Sequence, residues 1–261
     1  MVAESRANYK DKSKTRSNFL NIYKFFEFVL RFFYKIYKNF LYLYNILPNK
    51  NLKKRIISAI ILIPLAIFAI FYSDNVFSLL LILIAIVMSF EWQEIIRPAI
   101  NKKKWQIIGI CYILLPLYAV LIIRNQNPKV LFWMFTIIWA TDIMAFFIGK
   151  TFGGAKLAPR ISPNKTWSGA FGGIVASLAI GVTSAMFFSG SLWFFVASSI
   201  LLSIFEQIGD LAESQIKRNF GVKDSGSIIP GHGGVLDRLD GIIFVAPLTL
   251  LLTSYSPESF L

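Results

Sequence analysis

Residues 210–240, DLAESQIKRNFGVKDSGSIIPGHGGVLDRLD, hold most of the chemistry-bearing side chains of an otherwise greasy chain. Five of the 14 acidic residues sit here: Asp210, Glu213, Asp224, Asp237 and Asp240. So do Lys217, Arg218, Lys223, Arg238 and the single histidine, His232. Gly221, Gly226, Gly231, Gly233 and Gly234 lie among them. Carboxylates bind hard cations, Lys and Arg neutralise phosphate oxygens, and glycines let the backbone approach an anion. The combination suits a metal–phosphate ligand.

The spacing sharpens this. Asp237 and Asp240, three apart, share a face at the start of a helical run. The helix dipole favours acids there, where they serve as metal ligands or as solvated partners of Arg238. Glu206, Asp210, Glu213 and Lys217 are spaced 4, 3 and 4 and share another face. Asp210 is the third expected metal ligand; Glu206 and Glu213 are supports, or ion-pair partners of Lys217. Lys217, Arg218 and Lys223 are placed to neutralise phosphates, although cations beside spans also serve topology. His232 reads as a general base or phosphate donor, or as a structural imidazole.

A second polar constellation is 139–167, WATDIMAFFIGKTFGGAKLAPRISPNKTW. Asp142 lies inside an apolar run, where a carboxylate is expensive and is either functional or paired with a lysine from elsewhere. Gly149, Gly153 and Gly154 precede Lys156, Arg160, Ser162, Asn164, Lys165 and Thr166, a basic, hydroxyl-bearing loop entering a helix near Trp167. Such a loop suits a triphosphate. No Walker A pattern is present.

The elements that must carry these residues are membrane helices. The 261 residues are 56% apolar with mean hydropathy +0.60. Runs near the ~20 residues that cross hydrocarbon fall at about 56–72, 76–96, 105–123, 130–149, 167–188, 192–212 and 241–255. The predicted fold is therefore all-α, a polytopic bundle of about seven transmembrane helices spanning 51–261. Residues 1–18 read as a basic disordered arm. Over 19–47, Asn21, Lys24, Glu27, Arg31, Lys35, Lys38 and Asn45 make one narrow polar stripe, as on an amphipathic helix lying in the interface. Packing against the protein's own spans, or a poorly inserted extra span, would leave the same stripe. Pro48 ends it and a basic linker follows. With the N-terminus in the cytosol, 25 of the 27 Lys and Arg lie inside, leaving Arg124 and Lys129 outside. The net charge of +13 thus reflects membrane topology, and nucleic acid is not an expected partner. Cys111 is the only cysteine, so no intrachain disulfide forms.

Taken together, these residues resemble the signature of the CDP-diacylglycerol synthase (phosphatidate cytidylyltransferase) family, bacterial type. That signature runs S-x-x-K-R, K-D, a turn into H-G-G, then D-R-x-D. Here it reads Ser214, Lys217-Arg218, Lys223-Asp224, Pro230, His232-Gly233-Gly234, Asp237-Arg238 and Asp240. The run APRISPNKTWSG resembles the family's second motif. The resemblance implies transfer of a cytidylyl group from CTP to phosphatidate, with Mg²⁺ and room for a second cation. Asp210, Asp237 and Asp240 would hold metal. Lys217, Arg218, Lys223, Asp224, His232 and Arg238 would act at the phosphates. Asp142, Lys156, Arg160, Ser162, Lys165, Thr166, Ser214, Gly233 and Gly234 would bind substrate. CTP, phosphatidate and membrane lipids are the implied partners, a homodimer stays open, and a multi-pass inner-membrane location with cytosolic active-site loops follows. Ile143-Met144-Ala145 after Asp142 departs from the family's small residues, and the middle of the chain is shorter than in many relatives. CDP-alcohol phosphotransferases would need D-G-x-x-A-R, but Ile242-Ile243-Phe244-Val245 follow Asp240-Gly241. A transporter would need acids across the midplane rather than at one face.

Overall fold

The structure is a computed structural model that describes residues 61, 64–188, 190–226, 228 and 233–260, all within one compact unit, Lys54–Leu261. The expected arm over 1–18, the interfacial helix and linker over 19–50, most of the first span's N-terminal half, Pro230, Gly231 and His232 lie outside the described residues.

Residues 64–72 are helical, and six long helices follow: α1 (Asp74–Ile95), α2 (Lys102–Gln126), α3 (Pro128–Phe152), α4 (Trp167–Phe187), α5 (Leu192–Asn219) and α6 (Leu236–Tyr255). A 3₁₀ turn, Pro257–Phe260, closes the described chain. Among the described residues, α1 to α5 are each long and apolar enough to cross a membrane. The protein is an all-α, multi-pass membrane protein. The expected seventh span corresponds to α6, which starts five residues before the apolar run 241–255 and carries Asp237, Arg238 and Asp240 on its leading turns. Helix α5 likewise runs past 212, carrying Glu213 and Lys217 on the same rod as Asp210.

The basic loop predicted after α3 is more ordered than expected. It folds into a two-stranded antiparallel hairpin, β1 (Lys156–Ala158) and β2 (Ser162–Thr166), with Lys156 opposite Thr166 and Ala158 opposite Ser162. Thr166 then caps α4, its Oγ1 accepting from Gly169 N at 3.1 Å. Fixing both flanks shortens the irregular stretch that carries Arg160.

Within hydrocarbon, helices associate through close packing and buried polar contacts rather than by escaping water. Helix α4 packs its small residues inward. A Cβ on Gly169 would lie 2.6 Å from the Ala145 carbonyl oxygen, so α3 and α4 approach there at backbone distance. Thr141 Oγ1 on α3 donates to Ser203 Oγ on α5 at 3.0 Å, both fully buried. Phe146, Phe147, Phe171, Val175 and Met186 remain exposed, as lipid-facing side chains of a span do.

The two ends of the bundle differ. At one end Arg124 pairs with Asp74 and donates from Nε to Ile70 O, and Asn127 Nδ2 donates to Phe260 O. There Phe195 and Phe260 pack edge to face at 5.3 Å, with Trp133 beside both. At the other end Trp92 of α1 donates from Nε1 to Trp105 O, and Trp105 packs edge to face on Phe220 at 4.9 Å. This second end gathers the C-termini of α1, α3 and α5, the N-termini of α2, α4 and α6, and the hairpin. Between residues 97 and 238, twelve of the fourteen Lys and Arg fall at that end; Arg124 and Lys129 are at the opposite one.

Candidate active site

Helices α5 and α6 run side by side, and their ends at the polar face enclose a cavity of about 340 Å³. Its walls are Asp142, Asp210, Lys217, Asp224, Asp237, Arg238 and Asp240. Every one of these was singled out by spacing and polarity. Five carboxylates from α3, α5, α6 and the α5–α6 loop thus meet two cations at the boundary of the apolar bundle.

The carboxylates are not equivalent. Asp237 is buried, at 7% exposure, and both its oxygens are occupied. Oδ1 accepts from Lys217 Nζ at 2.6 Å and from Ser225 N at 3.1 Å; Oδ2 accepts from Ser225 N and Gly234 N, each at 2.9 Å. Burial works against its charge, but the Lys217 ammonium and the Gly234 and Ser225 amides outweigh it and hold the carboxyl below its ordinary value. Asp237 therefore clasps the signature loop to α5. Lys217 shares the commitment, donating also to Glu213 Oε1 at 2.9 Å, one turn earlier on α5. Its ammonium, expected at a phosphate or paired with Glu213, faces the carboxylates of both Glu213 and Asp237.

Asp210 forms an ion pair with Lys165 of β2 and accepts from Ser214 Oγ at 3.3 Å. This brings the two sequence constellations together, and Ser214 serves the acid rather than facing the cavity. Among the described residues, Asp240 accepts only from the amide of the next residue, Gly241 N at 2.8 Å. Glu206 Oε2 and Glu213 Oε2 are buried with no hydrogen-bond partner among the described residues.

The remaining expected residues lie around this core. Arg238 lines the cavity and is exposed. Arg218 points to the hairpin, donating from Nε to Ile161 O at 3.2 Å and from Nη1 to Val222 O at 2.9 Å. Lys223, Lys156 and Arg160 are exposed and outside the cavity wall, Ser162 starts β2, and Thr166 is occupied as a helix cap. Gly233 has φ +85°, a conformation that L side chains resist, and a Cβ there would lie 2.6 Å from Asp237 Oδ2. The Gly-Gly pair is thus required by the carboxylates packed against it.

Sequence reasoning missed Glu91. It lies in α1 near the end of an apolar run, 4% exposed, and accepts from Val235 N at 2.9 Å, Leu236 N at 2.8 Å and Ser225 Oγ at 3.3 Å. Helix α6 has no side-chain cap of its own, so Glu91 supplies acceptors to its first amides. The signal was present: an ionisable group within a span needs a partner.

The donor chemistry fits a hard divalent cation. Carboxylate oxygens dominate the cavity, Asp240 is scarcely compensated, and two neighbouring glutamate oxygens are unpartnered. Among the described residues no three Asp, Glu, His or Cys converge on one point. Mg²⁺ does not require that, because it keeps several waters and binds through one or two carboxylates plus substrate phosphates.

A family model described as the cytidylyltransferase family matches residues 106–256. A protein of Rickettsia bellii named phosphatidate cytidylyltransferase is 42% identical over 216 residues, covering 78% of this chain and 91% of the relative. A protein of the same name from Rickettsia prowazekii is 39% identical over 218 residues, 79% of this chain and 94% of its own. One from Brucella suis is 42% identical over 178 residues, 67% of this chain and 63% of its own.

Proposed function

This chain belongs to the cytidylyltransferase family, and we propose that it transfers the cytidylyl group of CTP to phosphatidate, giving CDP-diacylglycerol and pyrophosphate. The observation that carries this reading is the carboxylate-walled cavity at the polar end of an apolar bundle. A lipid phosphate reaches that position from the bilayer and a nucleotide from water.

An oxygen of the phosphatidate phosphate attacks the α-phosphorus of CTP, the α–β bridging P–O bond breaks, and pyrophosphate leaves with its electrons. Both reactants are anions, so the protein's task is positioning and charge neutralisation. Bound Mg²⁺ would supply neutralisation of the phosphate oxygens, held by Asp240 and Asp210 with Asp142 beside them. Arg238, exposed at the cavity wall, offers a bidentate fork to a phosphate. Lys165, at the rim, exchanges Asp210 for an incoming phosphate oxygen. Lys217 and Asp237 keep the loop that carries Gly233 and Gly234 in register with α5.

The test is pyrophosphate release from CTP by the detergent-purified protein, with Mg²⁺ and phosphatidate, beside Asp240→Asn. Release should require both additions and fall by about 100-fold or more in the variant. Release independent of phosphatidate, or undiminished in the variant, refutes the assignment.

The same charge distribution supports an inner-membrane protein with the cavity end in the cytosol. In a Cys111→Ser background, Arg160→Cys should be labelled by an impermeant maleimide only when the cytosolic face is open. Labelling of Arg160→Cys from outside intact cells would reverse the orientation.

A further inference from the structure

Glu91 lies outside residues 106–256, the stretch that the family model matches. Its carboxylate nevertheless grips two points of the connection between α5 and α6. Ser225 Oγ, six residues past the end of α5, and the amides of Val235 and Leu236, where α6 begins, all donate to it. Asp237 grips the same loop from the cavity side through Ser225 N and Gly234 N. The two acids are linked directly: Ser225 Oγ donates to Glu91 and accepts from Asp237 N at 3.3 Å. A chain of contacts therefore runs Glu91, Ser225, Asp237, Lys217, from the apolar side of α1 to the cavity wall.

The packing leaves this arrangement little freedom. A Cβ on Gly226 would stand 2.8 Å from Glu91 Oε1, and one on Gly234 would stand 2.6 Å from Glu91 Oε2. Gly226 and Gly234 thus both pack against the carboxylate itself. Glu91 is set in turn by its neighbour Trp92, which is buried against Tyr112 at 5.1 Å and anchored to the Trp105 carbonyl.

We propose that Glu91 is a positioning residue for the cytidylyl transfer. It fixes the first turn of α6, and hence the placement of Asp237, Arg238 and Asp240 at the cavity, without touching substrate. This role rests on the proposed reaction, but the clasp is measurable without it. Glu91→Gln keeps the volume and turns an amide NH₂ toward backbone donors, so at least one of the three bonds is lost.

The experiment uses the full chain in detergent and reads two quantities. Hydrogen exchange without substrate should rise about 10-fold or more at Val235 and Leu236 in Glu91→Gln, with α3 and α4 unchanged. Pyrophosphate release should show kcat reduced about 10- to 100-fold and KM for CTP within about 3-fold of wild type, as displaced rather than absent catalytic groups give. Ser225→Ala, which removes one arm of the clasp, should move both readouts in the same direction and less far, and it carries the test if Glu91→Gln does not fold. Unchanged exchange at 235–236, or raised exchange throughout the bundle, overturns the clasp. Release at the wild-type kcat from the variants overturns the positioning role alone. No release from the wild-type protein overturns the reaction and the role with it.

Discussion

Asp237 and Asp240 are one helical turn apart, and the structure predicts opposite consequences for removing their charges. In Asp237→Asn, a nitrogen replaces one oxygen of a carboxylate that faces only donors: Lys217 Nζ, Ser225 N and Gly234 N. Breaking a buried ion pair by removing one partner costs about 3–5 kcal/mol. Lys217 keeps Glu213 at 2.9 Å, and Asn keeps one acceptor, which brings the expected loss to about 2–4 kcal/mol. At about 2–4 °C per kcal/mol for a chain of this size, Tm should fall by roughly 5–15 °C. Asp240→Asn keeps an oxygen to accept from the adjacent Gly241 amide and relieves repulsion from the carboxylates that share its cavity. Its Tm should stay within about 2 °C of wild type or rise, while pyrophosphate release collapses. Tryptophan fluorescence melts in detergent, run beside the release assay, read both. An Asp237→Asn protein as stable as wild type, or an Asp240→Asn protein destabilised as much as Asp237→Asn, would refute the division between clasp and site.

Two further substitutions probe the rim and the loop. Lys165→Met removes the partner of Asp210 while keeping side-chain length; kcat/KM for CTP should drop about 10- to 100-fold with Tm moved by less than about 2 °C, and unchanged CTP kinetics would remove Lys165 from the site. Gly234→Ala drives a methyl into Ser225 Oγ and Glu91, an overpacking worth about 1–3 kcal/mol that melts should register as roughly 3–10 °C. Gly221→Ala, at φ +73° in open space, is its control and should show only the backbone term of about 1–2 kcal/mol.

The spans were legible because apolar runs near 20 residues have few other readings, and the lining of the cavity was legible because charge in such a chain is conspicuous. What each charge does was not. Asp237 and Asp240 look equivalent in D-R-L-D, yet one accepts four hydrogen bonds from three donor groups and the other meets a single local amide. That difference depends on how the α5–α6 loop returns to α5, which periodicity does not encode. For Lys217, helical spacing offers a phosphate or a pairing with Glu213 on its own helix, but it does not reveal Asp237 across the interface. Glu91 escaped because it stands among apolar residues and its partners are a hydroxyl 134 residues away and backbone amides 144 and 145 residues away. The hairpin over 156–166 was hidden by its prolines and cations, which read as loop until the two flanks are paired.

The distribution of compensation also bears on the order of binding. Asp237 is neutralised by Lys217 and two amides, and Asp210 by Lys165, so protein groups already occupy those acids. Among the described residues Asp142 and Asp240 have no such cation in contact, and a fold that leaves charge uncompensated at a membrane boundary incurs a cost that a bound ligand can offset. A triphosphate alone deepens that imbalance, because it brings negative charge to a wall of carboxylates. A divalent cation alone relieves it only partly and retains most of its water. In the proposed reaction, nucleotide and metal arriving as one complex would satisfy both partners and would release Lys165 from Asp210 toward phosphate. The cavity's surplus of acid would then favour a metal-bound nucleotide over a bare anion.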